Sequence, residues 1–216
     1  MPLIPFQIQI QNLSKSFHEH SVFKNVNLYL LPNNRLVING PNGSGKSTFL
    51  KVFTGKMKPT SGKVTFSINS RPISEEFFYQ YIAWDAPYMD IYPYFNIQET
   101  FYWHFQFVKP ILRFNEWVDI LDLKSYQFKE LKYLSSGTLQ RVKVGLALFS
   151  NTPILILDEP TANMDNENSQ KIIELVQNFS KDRILLIASN LLRETEWIKN
   201  KHSENYFSEL LTFSLF

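Results

Sequence analysis

The segment Gly40-Pro41-Asn42-Gly43-Ser44-Gly45-Lys46-Ser47-Thr48 limits what this chain can fold into more than any other. It matches G-x-x-x-x-G-K-[ST], a loop whose backbone N–H groups cradle phosphate oxygens. Gly40, Gly43 and Gly45 let the backbone curl through dihedrals that side chains resist. Lys46 is placed to give a point charge to the β- and γ-phosphates, and the Ser47 hydroxyl to ligate Mg²⁺. Arg35 to Asn39 reads as a short buried strand entering the loop, and Ser47 to Phe53 as a helix leaving it. The helix N-terminus then turns its positive dipole end toward the phosphates. Strand, loop and helix in that order demand an α/β core and imply a nucleoside triphosphate as ligand.

The 216 residues suffice for one α/β domain with a small inserted subdomain. With 44% apolar and 19% charged residues, the composition is that of an ordinary packed core. A formal net charge of +2 is too small to argue for nucleic acid as a partner, and none is expected. The absence of cysteine excludes disulfides, thiolate metal sites and cysteine nucleophiles. Met1-Pro-Leu-Ile-Pro5 lacks the basic and apolar regions of a signal peptide, and no run of about 18 apolar residues is present.

Along the chain, Phe6 to Gln11 and Val22 to Leu30 alternate apolar and polar residues, as half-buried strands do. Pro59 to Gly62 reads as a turn before a strand over Val64–Ile68, and Tyr81–Trp84 as another short strand. From about Asn96 to Ser150 the pattern is mostly helical. The apolar runs Ile154–Leu157 and Ile184–Ala188 suit parallel strands covered on both faces, with an amphipathic helix from about Asn166 to Phe179 between them. The first run ends in Asp158 and Glu159, at the strand end where α/β sheets gather ligands. Asp158 can hold Mg²⁺ beside Ser47, and Glu159 can polarise an attacking water as general base.

Upstream lies Leu134-Ser135-Ser136-Gly137-Thr138-Leu-Gln-Arg141, a Ser/Gly turn capping a helix expected to begin near Thr138. This run resembles the signature motif of ATP-binding cassette (ABC) ATPases, LSGGQ, with Ser136 for the first glycine and Thr138 for the glutamine. Asp158-Glu-Pro-Thr-Ala-Asn-Met-Asp165 resembles that family's Walker B segment and D-loop, and Phe17 sits where the family stacks an aromatic on adenine. The resemblance covers roughly residues 5–195. It implies a P-loop NTPase core with an antiparallel β-subdomain and an inserted α-helical subdomain at about 88–150, all within one ATP-binding domain over 1–216. It also implies ATP and Mg²⁺ as ligands, and dimerisation around two ATP in which Ser135, Ser136 and Gly137 of one subunit face the P-loop of the other. The second subunit would be another copy or a paralogous cassette.

Two further departures from the family pattern touch catalysis. Where it has a switch histidine this chain has Asn190, and His18, His20, His104 and His202 all lie too far away in sequence to substitute. An amide can donate to the γ-phosphate but cannot carry charge, so slow hydrolysis is expected rather than none. Where the family's Q-loop glutamine touches the metal and the attacking water, the matching residue is Asp85; it either ligates the metal or caps the turn before Pro87. Gln80 precedes the strand and is a poor substitute.

The resemblance implies transport. Aromatics crowd Phe77–Phe107, among them Tyr88, Tyr92, Tyr94, Phe95, Phe101, Tyr102, Trp103 and Phe105, in the region where the family receives its transmembrane permease subunit. The expectation is a peripheral cytoplasmic subunit, in an exporter because no regulatory domain follows the cassette. Two alternatives stand beside it: a slow, degenerate cassette acting as an ATP-gated clamp or as the weaker half of a heterodimer, and a soluble ABC ATPase outside transport. The tail ending Glu209–Phe216 carries no readable motif.

Overall fold

The computed structural model describes residues 6–190, in two sheets with one helix between them and a helical layer beyond. The N-terminal tip and the tail from 191 onward, which includes His202, lie outside the described residues. The first sheet is antiparallel, in the order β2-β1-β4-β5: β1 (Phe6–Phe17), β2 (His20–Leu30), β4 (Ser61–Ile68) and β5 (Arg71–Ile73). The second is parallel, in the order β3-β8-β7-β6: β3 (Arg35–Asn39), β6 (Ile82–Asp85), β7 (Ile154–Asp158) and β8 (Ile184–Ser189).

The continuous apolar runs of the parallel strands serve two cores at once. Leu36, Ile38, Ile154, Ile156, Ile184 and Leu186 face α1 (Lys46–Phe53) and the antiparallel sheet, joining Phe49, Phe53 and Phe66. Val37, Leu155, Leu157, Leu185 and Ile187 face the opposite way, against the helical layer and Val176. Period-two alternation puts successive side chains on opposite faces, so a strand buried on both sides has no polar position to spare. Each fully buried Leu, Ile or Phe contributes about 1.5–3 kcal/mol.

The region expected to be mostly helical is three short helices joined by turns: α2 (Ile97–His104), α3 (Phe114–Ile120) and α4 (Ser136–Leu148). A last helix, α5 (Asn166–Phe179), follows β7. α2 starts where the sequence places it, because Asn96 forms a capping box: its Oδ1 accepts from Glu99 N at 2.9 Å and Glu99 Oε2 accepts from Asn96 N at 2.8 Å. Asn96→Ala is expected to lower unfolding free energy by about 1 kcal/mol, read from the urea midpoint.

Several boundaries differ from the sequence reading, two of them for a plain reason. β4 takes in Ser61 and Gly62, because β1 shifts register between Gln11 and Ser14 and so pairs Ser14 with Ser61. α4 begins at Ser136 rather than near Thr138, because Ser135 is already its cap, with Oγ accepting from Thr138 N at 3.2 Å.

Candidate functional site

The C-terminal ends of β3 and β7 bring the P-loop and the carboxylates together in one cleft of about 470 Å³. It is lined by Asn42, Gly43, Gly45, Lys46, Ser47 and Thr48 on one side, and by Asp158 and Glu159 on another. Phe17 and Val22 close the far end, where the β1–β2 hairpin places the half-exposed Phe17 ring. Lys15 Nζ lies 4.8 Å from the centroid of that ring and donates to Lys58 O at 3.0 Å, so a cation is fixed against the aromatic.

The loop is preshaped for an anion. Gly45 has φ +97, and a Cβ there would stand 2.2 Å from Val22 Cγ1, so only glycine fits. Lys46 is buried, its Nζ donating to Gly40 O at 2.8 Å and Pro41 O at 3.1 Å, which pins the loop around the ammonium. The Ser44 hydroxyl is buried within the loop. α1 starts at Lys46, and its first N–H groups, without intrahelical partners, open toward the cleft.

Ser47 Oγ donates to Asp158 Oδ2 at 2.9 Å, which brings together the two groups expected to hold a metal. Among the described residues there is no cluster of three His, Cys, Asp or Glu side chains able to hold an ion alone. The paired hydroxyl and carboxylate oxygens of Ser47 and Asp158 suit Mg²⁺ completed by phosphate oxygens and water, its usual manner of binding. Glu159 follows directly, with its N–H donating to Ala188 O at 2.8 Å and its backbone at φ +52. A non-glycine residue held left-handed costs about 1–2 kcal/mol, a strain that here aims a carboxylate into the cleft. Asn190 reaches the rim of the site, its Nδ2 donating to Asn42 Oδ1 at 3.0 Å.

Asp85 is a correction to the sequence reading as a metal-facing residue. Strand alternation sends Ala83 and Asp85 toward α4, while Ile82 and Trp84 face the other core. Asp85 is buried, accepts from Gln140 Nε2 at 2.8 Å, and stands 3.9 Å from Lys143 Nζ. Burial raises its pKa to about 7, with Lys143 and Gln140 opposing that shift.

Tyr88, read from sequence as part of an aromatic surface, lines the cleft instead. The signal available was its place just past the end of a parallel strand. Of the other aromatics in that stretch, Phe101 is buried, while Tyr92, Tyr94, Tyr102, Trp103 and Phe107 are exposed. Gln140 and Lys143 were also missed; both are polar side chains on the α4 face that meets β6.

Ser135, Ser136 and Gly137 are not among the residues that line the cleft. They form the start of α4, where Gly137 packs so closely that a Cβ would meet Asn163 O at 2.8 Å. Among the described residues no helix is long and apolar enough to cross a membrane.

The family profile described as ABC transporter matches residues 23–162 of this chain. The zinc import ATP-binding protein ZnuC of Buchnera aphidicola is 28% identical over 187 residues, spanning 85% of this chain and 74% of the relative. The lantibiotic transport ATP-binding protein SrtF of Streptococcus pyogenes is 29% identical over 196 residues, spanning 88% and 82%. Among solved structures, a dimeric ATP-binding cassette in a post-hydrolysis state with ADP and Pi superposes with TM-score 0.72 at 22% identity, over 87% of this chain and 89% of that one.

Proposed function

The chain belongs to the ABC transporter family of ATP-binding cassettes, and we propose that it works as an ATP-hydrolysing subunit that pairs with a second cassette and drives a separate transmembrane subunit. One observation carries this reading. The P-loop, Asp158 and Glu159 share a cleft, while Ser135, Ser136 and Gly137, exposed or half-exposed at the head of α4, stand outside it. A second copy or a paralogous cassette, docked head to tail, would bring that helix N-terminus to the open side of the bound triphosphate.

In this reading the loop N–H groups and Lys46 hold the phosphates, and Phe17 stacks on the base. Ser47 and Asp158 present oxygens to Mg²⁺, which when bound neutralises charge developing between the β- and γ-phosphates. Glu159 takes a proton from the attacking water, and the Asn190 amide donates from the rim. The exposed Tyr92, Tyr94, Trp103 and Phe107 form a surface suited to the transmembrane partner, which would keep the chain on the cytoplasmic face of the membrane. The direction of transport follows that partner; the exporter expectation gains no support from a relative named for zinc import.

Complementation tests shared sites. Lys46→Met and Gly137→Asp should each abolish turnover. Mixed in equal amounts they should recover up to about a quarter of wild-type activity, because each mixed dimer keeps one intact composite site. No recovery from two folded, dimerisation-competent variants would mean that the sites are not shared between copies.

A further inference from the structure

α4 packs on β6 and β7, with Val142, Val144 and Leu148 buried in the core it shares with them. Apolar burial is non-directional, so by itself it leaves a helix free to slide or turn by a fraction of its pitch. Gln140 and Lys143, three residues apart on one helix face, remove that freedom at the end of β6. The Asp85 carboxyl spans them: its Oδ2 accepts from Gln140 Nε2 at 2.8 Å, and its Oδ1 stands 3.9 Å from Lys143 Nζ. Lys143 Nζ also donates to Ala86 O at 2.8 Å and to Pro87 O at 3.4 Å. Ala86 O accepts in addition from Met89 N at 3.0 Å, closing a turn with Pro87 and Tyr88 at its two central positions. Those two residues line the nucleotide cleft. One ammonium, on a side chain only 9% exposed, thus ties α4 to the cleft wall. Arg141, by contrast, donates to Leu121 O at 3.0 Å and fastens α4 to the end of α3, not to the cleft.

We propose that Lys143 is a positioning residue for cassette pairing: by fastening the Pro87–Tyr88 turn to α4, it holds Ser135, Ser136 and Gly137 at a set distance from the chain's own cleft. This rests on the pairing of two cassettes proposed above. In a head-to-tail pair each chain offers its cleft to the partner's α4, and its own α4 to the partner's cleft. The two contacts close together, so an error in the spacing within one chain spoils both. About two helical turns separate Ser136 from Lys143, and the intervening helix carries the anchor's position to the motif. The apolar core decides that α4 packs here; Lys143 decides where along β6 it stops.

The test compares Asp85→Asn with Asp85→Asn/Lys143→Met, both in the full chain carrying Glu159→Gln to keep ATP uncleaved. The neutral double variant leaves no buried charge without its partner, so it should stay folded, as read from its urea midpoint. Pairing is followed by sedimentation velocity in Mg²⁺-ATP over a protein concentration series. Affinity for a fluorescent ATP analogue is measured on chains too dilute to pair. The groups that hold phosphate and metal lie on the P-loop and β7, out of reach of Lys143, so the two affinities should agree within about twofold. Pairing should weaken about tenfold on removal of Lys143, an ordinary coupling between two sites. Equal pairing by the two variants would overturn the proposal. Equal losses of pairing and ATP affinity, or a double variant that no longer folds, would overturn it as well, since Lys143 would then serve the cleft or the fold alone. A Glu159→Gln parent that never pairs in Mg²⁺-ATP would instead sink the two-cassette reading, and the role of Lys143 with it.

Discussion

Glu159→Gln is expected to lower ATP turnover about 10²–10⁴-fold, the usual contribution of a general base, while nucleotide affinity and the unfolding midpoint stay at wild-type values. The two side chains have the same length and shape, and both carry a Cβ, so the left-handed backbone at φ +52 is equally strained in each. The backbone bond from Glu159 N to Ala188 O does not involve the side chain and survives. The phosphate-holding groups, Lys46 and the loop N–H donors, belong to a different element and are untouched. Only proton acceptance is lost. Phosphate release measured beside a nucleotide dissociation constant separates the two quantities. A variant that turns over at half the wild-type rate would remove Glu159 from the role of base and leave the cleft without one among its lining residues, since Asp158 is engaged by Ser47.

Much of this site is readable from sequence because each part is a contiguous run with its own chemistry. Lys46 follows its glycines directly, and Glu159 follows an apolar strand that can only be buried on both faces. The pairing of Ser47 with Asp158 is long-range, yet strand order in a parallel sheet forces it, because β3 and β7 both deliver their C-terminal ends to one edge, with β8 between them. Asp85 was misplaced for an instructive reason. It was read as following the strand, where alternation no longer binds a side chain, but it is the last residue of a strand four residues long. β6 ends at Asp85, one residue later than expected, so strand alternation still governs Asp85 and turns it to α4. Tyr88 was hidden by composition. Among so many aromatics its place in the cleft shows only once the Ala86–Met89 turn is built.

Asp85 makes the chain less stable as pH rises, and Asp85→Asn should remove that slope. Burial raises its folded pKa from 3.8 to about 7, so between those values the native state binds a proton that the unfolded state has released. The stability it contributes is complete below the unfolded pKa and is lost as pH climbs through the folded one. From pH 5 to pH 8 that loss is about 3 kcal/mol, nearly all of it before the plateau above pH 7. Asparagine keeps the oxygen that accepts from Gln140 Nε2 but does not titrate, so the variant should unfold at the same urea concentration at both pH values in this respect. His104 works in the opposite direction, because burial lowers its pKa from 6.5 and stability is then lost as pH falls. The difference between wild type and Asp85→Asn cancels that contribution and isolates the carboxyl. Parallel curves for the two proteins would mean that Asp85 stays ionised against Lys143 throughout. Removing Lys143 by substitution with Met would then be the costlier change, about 3–5 kcal/mol for a buried charge left without its partner.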